Sequence, residues 1–273
     1  MVLYLDVEGA FPNAVTDKLL HNLWKRKIPK VYVKFIEALL TNGHTRMKFD
    51  DFISDFIHIS NGIGQGDPLS MLLHIVYNAD LLELTEGPRE ESLGYVDDAM
   101  IMAEGKDLEE TMEILTYFMT REEGGFAWSE AHNSNFAIDK LVVTHFTRRR
   151  RAAPRRPVHV ATREAPALIL RGKPVKVPLA YKYLGIYVDS QLNWKIQRQK
   201  AITKATKWTM LYKRLTKPSS GLSASYMKHL YLTVAIPKMT YGLDIWYSPL
   251  SIELGRKRNS SLVKALKEFS KLQ

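Results

Sequence analysis

Gly94-Tyr95-Val96-Asp97-Asp98-Ala99-Met100-Ile101-Met102 is the stretch whose reading decides the fold. An apolar run leads into two adjacent aspartates, and a second apolar run leaves them. The pattern predicts strand, tight turn, strand, with both carboxylates at the turn. Two neighbouring carboxylates repel each other, and a divalent cation relieves that cost. Asp is also a common residue of exposed turns, so the pair by itself leaves a solvated turn as an open alternative.

The rest of the chain bounds the chemistry. At 273 residues it is long enough for one large or two modest domains. Lys plus Arg number 39 against 29 Asp plus Glu, a net charge of +10 that suits a polyanionic partner such as nucleic acid. With no cysteine, disulfides, thiolate zinc sites and cysteine nucleophiles are excluded. No apolar stretch approaches the roughly 18 residues of a membrane span. No basic-then-apolar leader opens the chain. These features predict an intracellular protein, nuclear or nucleocytoplasmic.

Residues 2–7 read as a buried strand with Asp6 near its C-terminal end. A turn follows at Glu8-Gly9-Ala10-Phe11-Pro12-Asn13. Thr16 is positioned to cap a helix to about Lys27, and Pro29 opens a second to about Thr41. Residues 45–49 and 52–59 read as paired strands around Asp50-Asp51. In Asn61-Gly62-Ile63-Gly64-Gln65-Gly66-Asp67-Pro68-Leu69-Ser70, three glycines permit close backbone approach to a ligand, and Pro68 starts a long apolar helix. A glycine loop entering a helix suits a phosphate or nucleotide, although the spacing is not that of a P-loop.

Asp107 is predicted to cap a helix to about Glu123. A strand lies at Leu141-Val142-Val143. Residues 148–157, with Arg148 to Arg151, Arg155 and Arg156, form a basic linker or loop. A hairpin is expected around Arg171-Gly172-Lys173-Pro174, and residues 181–189 read as one strand. A basic helix runs from Trp194 to about Leu215. A further helix, 223–236, is expected to stop at Pro237, and a tail helix lies at 260–272.

Asp6, Asp97 and Asp98 therefore sit at strand ends, with a glycine loop between them in sequence. If the first strand lies beside the hairpin, three carboxylates meet on one sheet edge. Hard oxygen ligands of this kind suit Mg²⁺, which keeps its other positions for water and substrate phosphates.

In order along the chain, Leu5-Asp6-Val7-Glu8-Gly9-Ala10-Phe11, Gly64-Gln65-Gly66-Asp67-Pro68-Leu69-Ser70 and Tyr95-Val96-Asp97-Asp98 resemble reverse transcriptase motifs A, B and C. Their wording is similar to that of non-LTR, LINE-type retrotransposons. Lys140, approached through Asn133 and Asn135, resembles motif D. Tyr183-Leu184-Gly185-Ile186 through Leu192-Asn193-Trp194 resembles the primer-grip region, and Tyr241-Gly242 with Trp246 resembles the post-thumb segment.

The resemblance implies an RNA-directed DNA polymerase that joins a dNTP to a DNA primer on an RNA template. It implies an α+β fold, with an antiparallel palm sheet backed by helices and then a helical thumb. The implied division is a palm at 1–147, a basic loop and hairpin at 148–180, a primer-grip segment at 181–194, and the thumb and post-thumb segment at 195–273. It further implies that Asp6, Asp97, Asp98 and the Val7 carbonyl hold two Mg²⁺ ions, with Mn²⁺ as a substitute. Phe11 would be the gate beneath the incoming sugar. Gln65 and Gly66 would contact the nucleotide, Lys140 would stand near the triphosphate, and Tyr183, Leu184 and Gly185 would position the primer end. Gly64 stands where many relatives carry proline. The family's fingers region, expected ahead of Asp6, is largely missing. The alternative to an enzyme is a catalytically inactive nucleic-acid-binding remnant of the same fold.

Overall fold

The computed structural model describes residues 1–41, 43–59, 61–146, 167–216 and 221–247. The basic stretch 148–157 and the tail segment 260–272 lie outside these residues. The chain divides into two compact units, Met1–Pro178 and Leu179–Gln273.

The first unit contains β1 (Val2–Leu5), α1 (Thr16–Lys25), α2 (Lys30–Thr41), β2 (Gly43–Thr45), β3 (Lys48–Phe49), β4 (Phe52–Ile53), β5 (Ile57–Ile59), α3 (Pro68–Leu82), β6 (Glu90–Tyr95), β7 (Asp98–Ala103), α4 (Leu108–Thr120), α5 (Gly125–Ala131), β8 (Val142–Thr144), β9 (Ile169–Leu170) and β10 (Lys173–Pro174). Its main sheet has the order β6-β7-β1-β8, with every neighbouring pair antiparallel.

All four residues of β1 are buried, which is why the run carries no polar alternation. Leu3 and Leu5 face a core shared with Ile101, Ala99, Val143, Leu115, Phe118 and Trp128. Thus α4 and α5 cover one face of the sheet. A second core joins α1, α2 and α3 through Leu19, Leu23, Val33, Ile36, Leu73 and Tyr77. Tyr77 ties three segments together: its hydroxyl accepts from Val15 N at 3.1 Å and donates to the His132 carbonyl, while Asn22 donates to its carbonyl at 3.3 Å.

Several boundaries follow the expected chemistry. Asp67 caps α3 by accepting from Leu69 N at 2.9 Å, with Pro68 in the first turn. Asp107 caps α4 by accepting from Glu110 N at 2.9 Å. Others differ. Thr16 is the first residue of α1 rather than its cap, and Val15 takes that place without a side-chain bond. The strands expected at 45–49 and 52–59 form two short ladders, β2 with β5 and β3 with β4.

The second unit contains β11 (Ala180–Tyr183), β12 (Ile186–Asp189), α6 (Lys195–Leu215), α7 (Ala224–Leu230), a π-helical turn at Tyr231–Ala235, α8 (Ile236–Thr240) and α9 (Leu243–Trp246). The single strand expected at 181–189 is instead a hairpin, because Leu184 and Gly185 both take positive φ, 46° and 86°, and reverse the chain. Pro237 does not stop its helix. The wider turn before it frees the backbone that proline cannot serve, and α8 continues to Thr240. Gln197 is buried and accepts from Tyr187 N at 2.9 Å, fixing α6 to β12. Among the described residues no helix is long and apolar enough to cross a membrane.

One buried ion pair fastens α4 to the hairpin. Arg121 and Glu90 have side chains only 7% and 6% exposed and meet at 3.1 Å. Arg121 also donates to the Leu84 carbonyl and lies 5.1 Å from the Phe118 ring centre. Removing one partner strands the other charge in the interior. Arg121→Met is expected to cost about 3 kcal/mol of stability, read as a fall in the urea midpoint.

Candidate active site

β1 is the element that gathers the predicted residues. Its register against β7 pairs Leu5 with Ala99, so the next step brings Asp6 opposite Asp98. Residues opposed in an antiparallel pair share a face. Leu5 and Ala99 point into the core, so Asp6 and Asp98 share the other face. The register against β8 pairs Tyr4 with Val142, which carries Asp6 towards Lys140. The Lys140 ammonium lies 3.0 Å from the Asp6 carboxylate, and Ala137 N donates to the Asp6 carbonyl at 3.0 Å.

Asp97 lies in the turn that joins β6 to β7, and Asp98 is the first residue of β7. Val96, the first turn residue, has φ 59°. Glycine usually occupies such a position, and a β-branched residue there is strained. The carboxyl of Asp98 is pushed above its ordinary value, first by burial, then by the charges of Asp97 and Asp6. The three carboxylates therefore act on one another. A hollow of ≈ 350 Å³ lined by Glu86, Arg89, Glu90, Glu113, Ile114 and Tyr117 contains none of them.

The donor set fits a hard cation. All three groups are carboxylates, and Mg²⁺ asks for only one or two of these besides water and phosphate oxygens. Among the described residues no group of three or more His, Asp or Glu side chains is placed to hold a metal ion.

Phe11 is half-buried in the α1–α3 core, its ring edge-on to His74 with centroids 4.6 Å apart. The glycine loop packs directly on its turn: Ile63 N donates to the Phe11 carbonyl at 2.8 Å and Gly62 N to the Ala14 carbonyl at 2.9 Å. A Cβ on Gly62 would stand 2.7 Å from the Pro12 carbonyl oxygen, so glycine is required for this close approach. Gln65 and Gly66 are exposed beyond it. Val7 is bridged to Phe136.

Tyr183, Leu184 and Gly185 belong to the second unit and form the tip of the β11–β12 hairpin. Tyr241 donates to the Leu184 carbonyl at 2.9 Å and packs over Gly185. In that unit the Lys195, Arg198, Lys200, Lys204, Lys207, Lys213 and Arg214 side chains of α6 are all exposed.

The sequence reading passed over two residues of α3. His74 and Asn78 are buried in a helix taken as simply apolar. Asn78 donates to the Val96 carbonyl at 3.1 Å, inside the aspartate turn. The signal was present as a spacing: Ser70, His74 and Asn78 recur every four residues, which lines one helical face. His74 Nδ1 and Asn78 Oδ1 are buried without a hydrogen-bond partner, a cost of about 1–3 kcal/mol each.

No family model matches the chain. It is 24% identical over 253 residues to the RNA-directed DNA polymerase from mobile element jockey of Drosophila melanogaster. It is also 24% identical over 246 residues to the probable RNA-directed DNA polymerase from transposon X-element of the same organism. Each match covers 89% of this chain and 25% of the relative, so the chain spans about a quarter of the length of the curated relatives it matches. The chain is thus related in sequence to the RNA-directed DNA polymerases of mobile elements. A solved structure of telomerase from Candida albicans, in complex with a TWJ fragment of telomeric RNA, covers 76% of this chain and 35% of that one. That overlap has a TM-score of 0.33 and 10% sequence identity.

Two tests address the geometry. Burial pushes the imidazoles of His74 and His132 below their ordinary value of 6.5, so the folded chain resists protonating them. Their stabilising effect is complete above the unfolded value and is lost as pH falls through and below it. The thermal midpoint is expected to hold near pH 7.5 and drop by pH 5.5. In the second unit, a Cβ on Gly185 would lie 2.9 Å from the Tyr241 ring, at φ 86°. Gly185→Ala is expected to cost about 1–2 kcal/mol, read as a fall in the urea midpoint.

Proposed function

We propose that this chain is the palm and thumb of an RNA-directed DNA polymerase, which extends a DNA primer on an RNA template. The observation that carries the reading is the register of β1, which sets Asp6 opposite Asp98 beside the Asp97 turn. Three carboxylates on one antiparallel sheet edge are what nucleotidyl transfer requires of a protein, since the chemistry needs positioning and charge more than covalent participation. The relationship to polymerases of mobile elements supports the same conclusion.

Asp6, Asp97 and Asp98, with the Val7 carbonyl, would hold the metal ions. Bound there, two Mg²⁺ ions, or Mn²⁺ in their place, supply activation of the attacking 3′-hydroxyl and stabilisation of the pyrophosphate leaving group. The chain's own residues do the positioning. Phe11, backed by His74, offers a rigid ring edge against which a deoxyribose fits and a 2′-hydroxyl does not. The exposed Gln65 and Gly66 lie one step beyond the loop that packs on Phe11, where they reach the base and template. Lys140, held at the same edge by Asp6, carries a positive charge and a proton for the departing pyrophosphate. The exposed cations of α6 suit the phosphate backbone of a primer–template duplex. Tyr183, Leu184 and Gly185, at the tip of β11–β12, would contact the primer end.

The test is primer extension by residues 1–273 on an RNA template with dNTPs and Mg²⁺. Incorporation is expected to depend on the metal and to fall by about a hundredfold or more in Asp97→Asn. Primer–template binding that ignores Mg²⁺, with no extension under any condition, would leave a nucleic-acid-binding remnant in place of a polymerase.

A further inference from the structure

We infer that Asn78 is the positioning residue of the aspartate turn and that His74 sets the orientation of its amide. The inference rests on the metal-site reading above but concerns residues that no motif includes. Both lie on α3, one helical turn apart, so their side chains share a face. That face is turned inward: His74 is 0% and Asn78 6% exposed.

The contacts form a line. The Phe11 ring stands edge-on to His74, with centroids 4.6 Å apart. His74 Nε2 lies 3.5 Å from the Asn78 amide nitrogen. That amide donates to the Val96 carbonyl at 3.1 Å. Val96 C=O and Asp97 N–H belong to one rigid peptide plane. Pinning the carbonyl therefore fixes the plane from which the Asp97 side chain departs. The same bond holds Val96 at its positive φ, a conformation its branched side chain disfavours.

Simple packing does not account for the pair. Leucines at both positions would line the same face without the two buried, unpaired atoms His74 Nδ1 and Asn78 Oδ1. The fold accepts that cost where one directional donor is needed. The arrangement also places the Phe11 ring and the Asp97 peptide against one rigid helix. The distance between the proposed sugar gate and the proposed metal ligands is then set by a single element.

The experiment uses the full chain and two readouts. The first is amide exchange at Asp97 and Asp98 in metal-free buffer, followed by NMR. Asn78→Leu, which keeps the branching at Cγ and removes the donor, is expected to raise exchange there about tenfold while β8 is unchanged. Asn78→Gln, which keeps an amide donor, is expected to recover most of the protection. His74→Leu is expected to give a rise of about threefold. Unchanged turn exchange in Asn78→Leu would overturn the inference, and wild-type exchange in His74→Leu would overturn the bracing role. The second readout is Mn²⁺ affinity, measured from the spectrum of the free ion. It is expected to weaken about tenfold in Asn78→Leu and to be restored in Asn78→Gln. A wild-type chain that binds no Mn²⁺ would defeat the metal-site reading, while the exchange data would still decide the role of Asn78.

Discussion

The structure depends on the threading of β1 between β7 and β8. All four of its buried residues pair with β7 and Val2, Leu3 and Tyr4 also pair with β8, and the burial of Leu3 and Leu5 against α4 and α5 sets the register. A slip of one residue would turn Leu5 out of the core it shares with α4 and α5 and Asp6 into it. Hydrophobic burial on one face of the sheet thus decides the electrostatics of the other. Asp6 meets Asp98 and Lys140 because Leu3 and Leu5 have nowhere else to go.

That arrangement concentrates like charge, and the surroundings offset it locally. Lys140 stands against Asp6, while Asp98 responds by holding its proton more tightly. The turn adds its own strain at Val96, held by an amide from α3. One side of this helix, through Leu73 and Tyr77, belongs to the α1–α3 core, and its polar stripe faces Phe11 and the turn. Rigidity at the sheet edge is therefore supplied from the second core, not from the sheet alone.

The two hairpins show how different local chemistry reaches similar geometry. At Leu184-Gly185 the second position is glycine, which adopts positive φ freely and lets Tyr241 close over it. At Val96-Asp97 no glycine is present, and a tertiary hydrogen bond does the holding. In both turns a side chain from a distant element donates to the carbonyl of the positive-φ residue, Tyr241 to Leu184 and Asn78 to Val96.

The sequence alone determined what depends on near neighbours and on residue type. The carboxylate hairpin, the Asp67-Pro68 and Asp107 helix starts and the glycine loop were legible because capping, turn and period rules act over a few residues. The ordered motifs pointed to the RNA-directed DNA polymerases that the chain is similar to. What the sequence did not disclose depends on distant partners. The strand read across Tyr183 to Ile186 is a hairpin because a leucine at positive φ leaves no compositional trace. Pro237 is accommodated by a wide turn that propensity rules do not anticipate. The pairing of Asp6 with Lys140 and the reach of Asn78 to Val96 span 134 and 18 residues. Such contacts exist only after the core has set the register, because their energy comes from groups that burial, not sequence proximity, brings together.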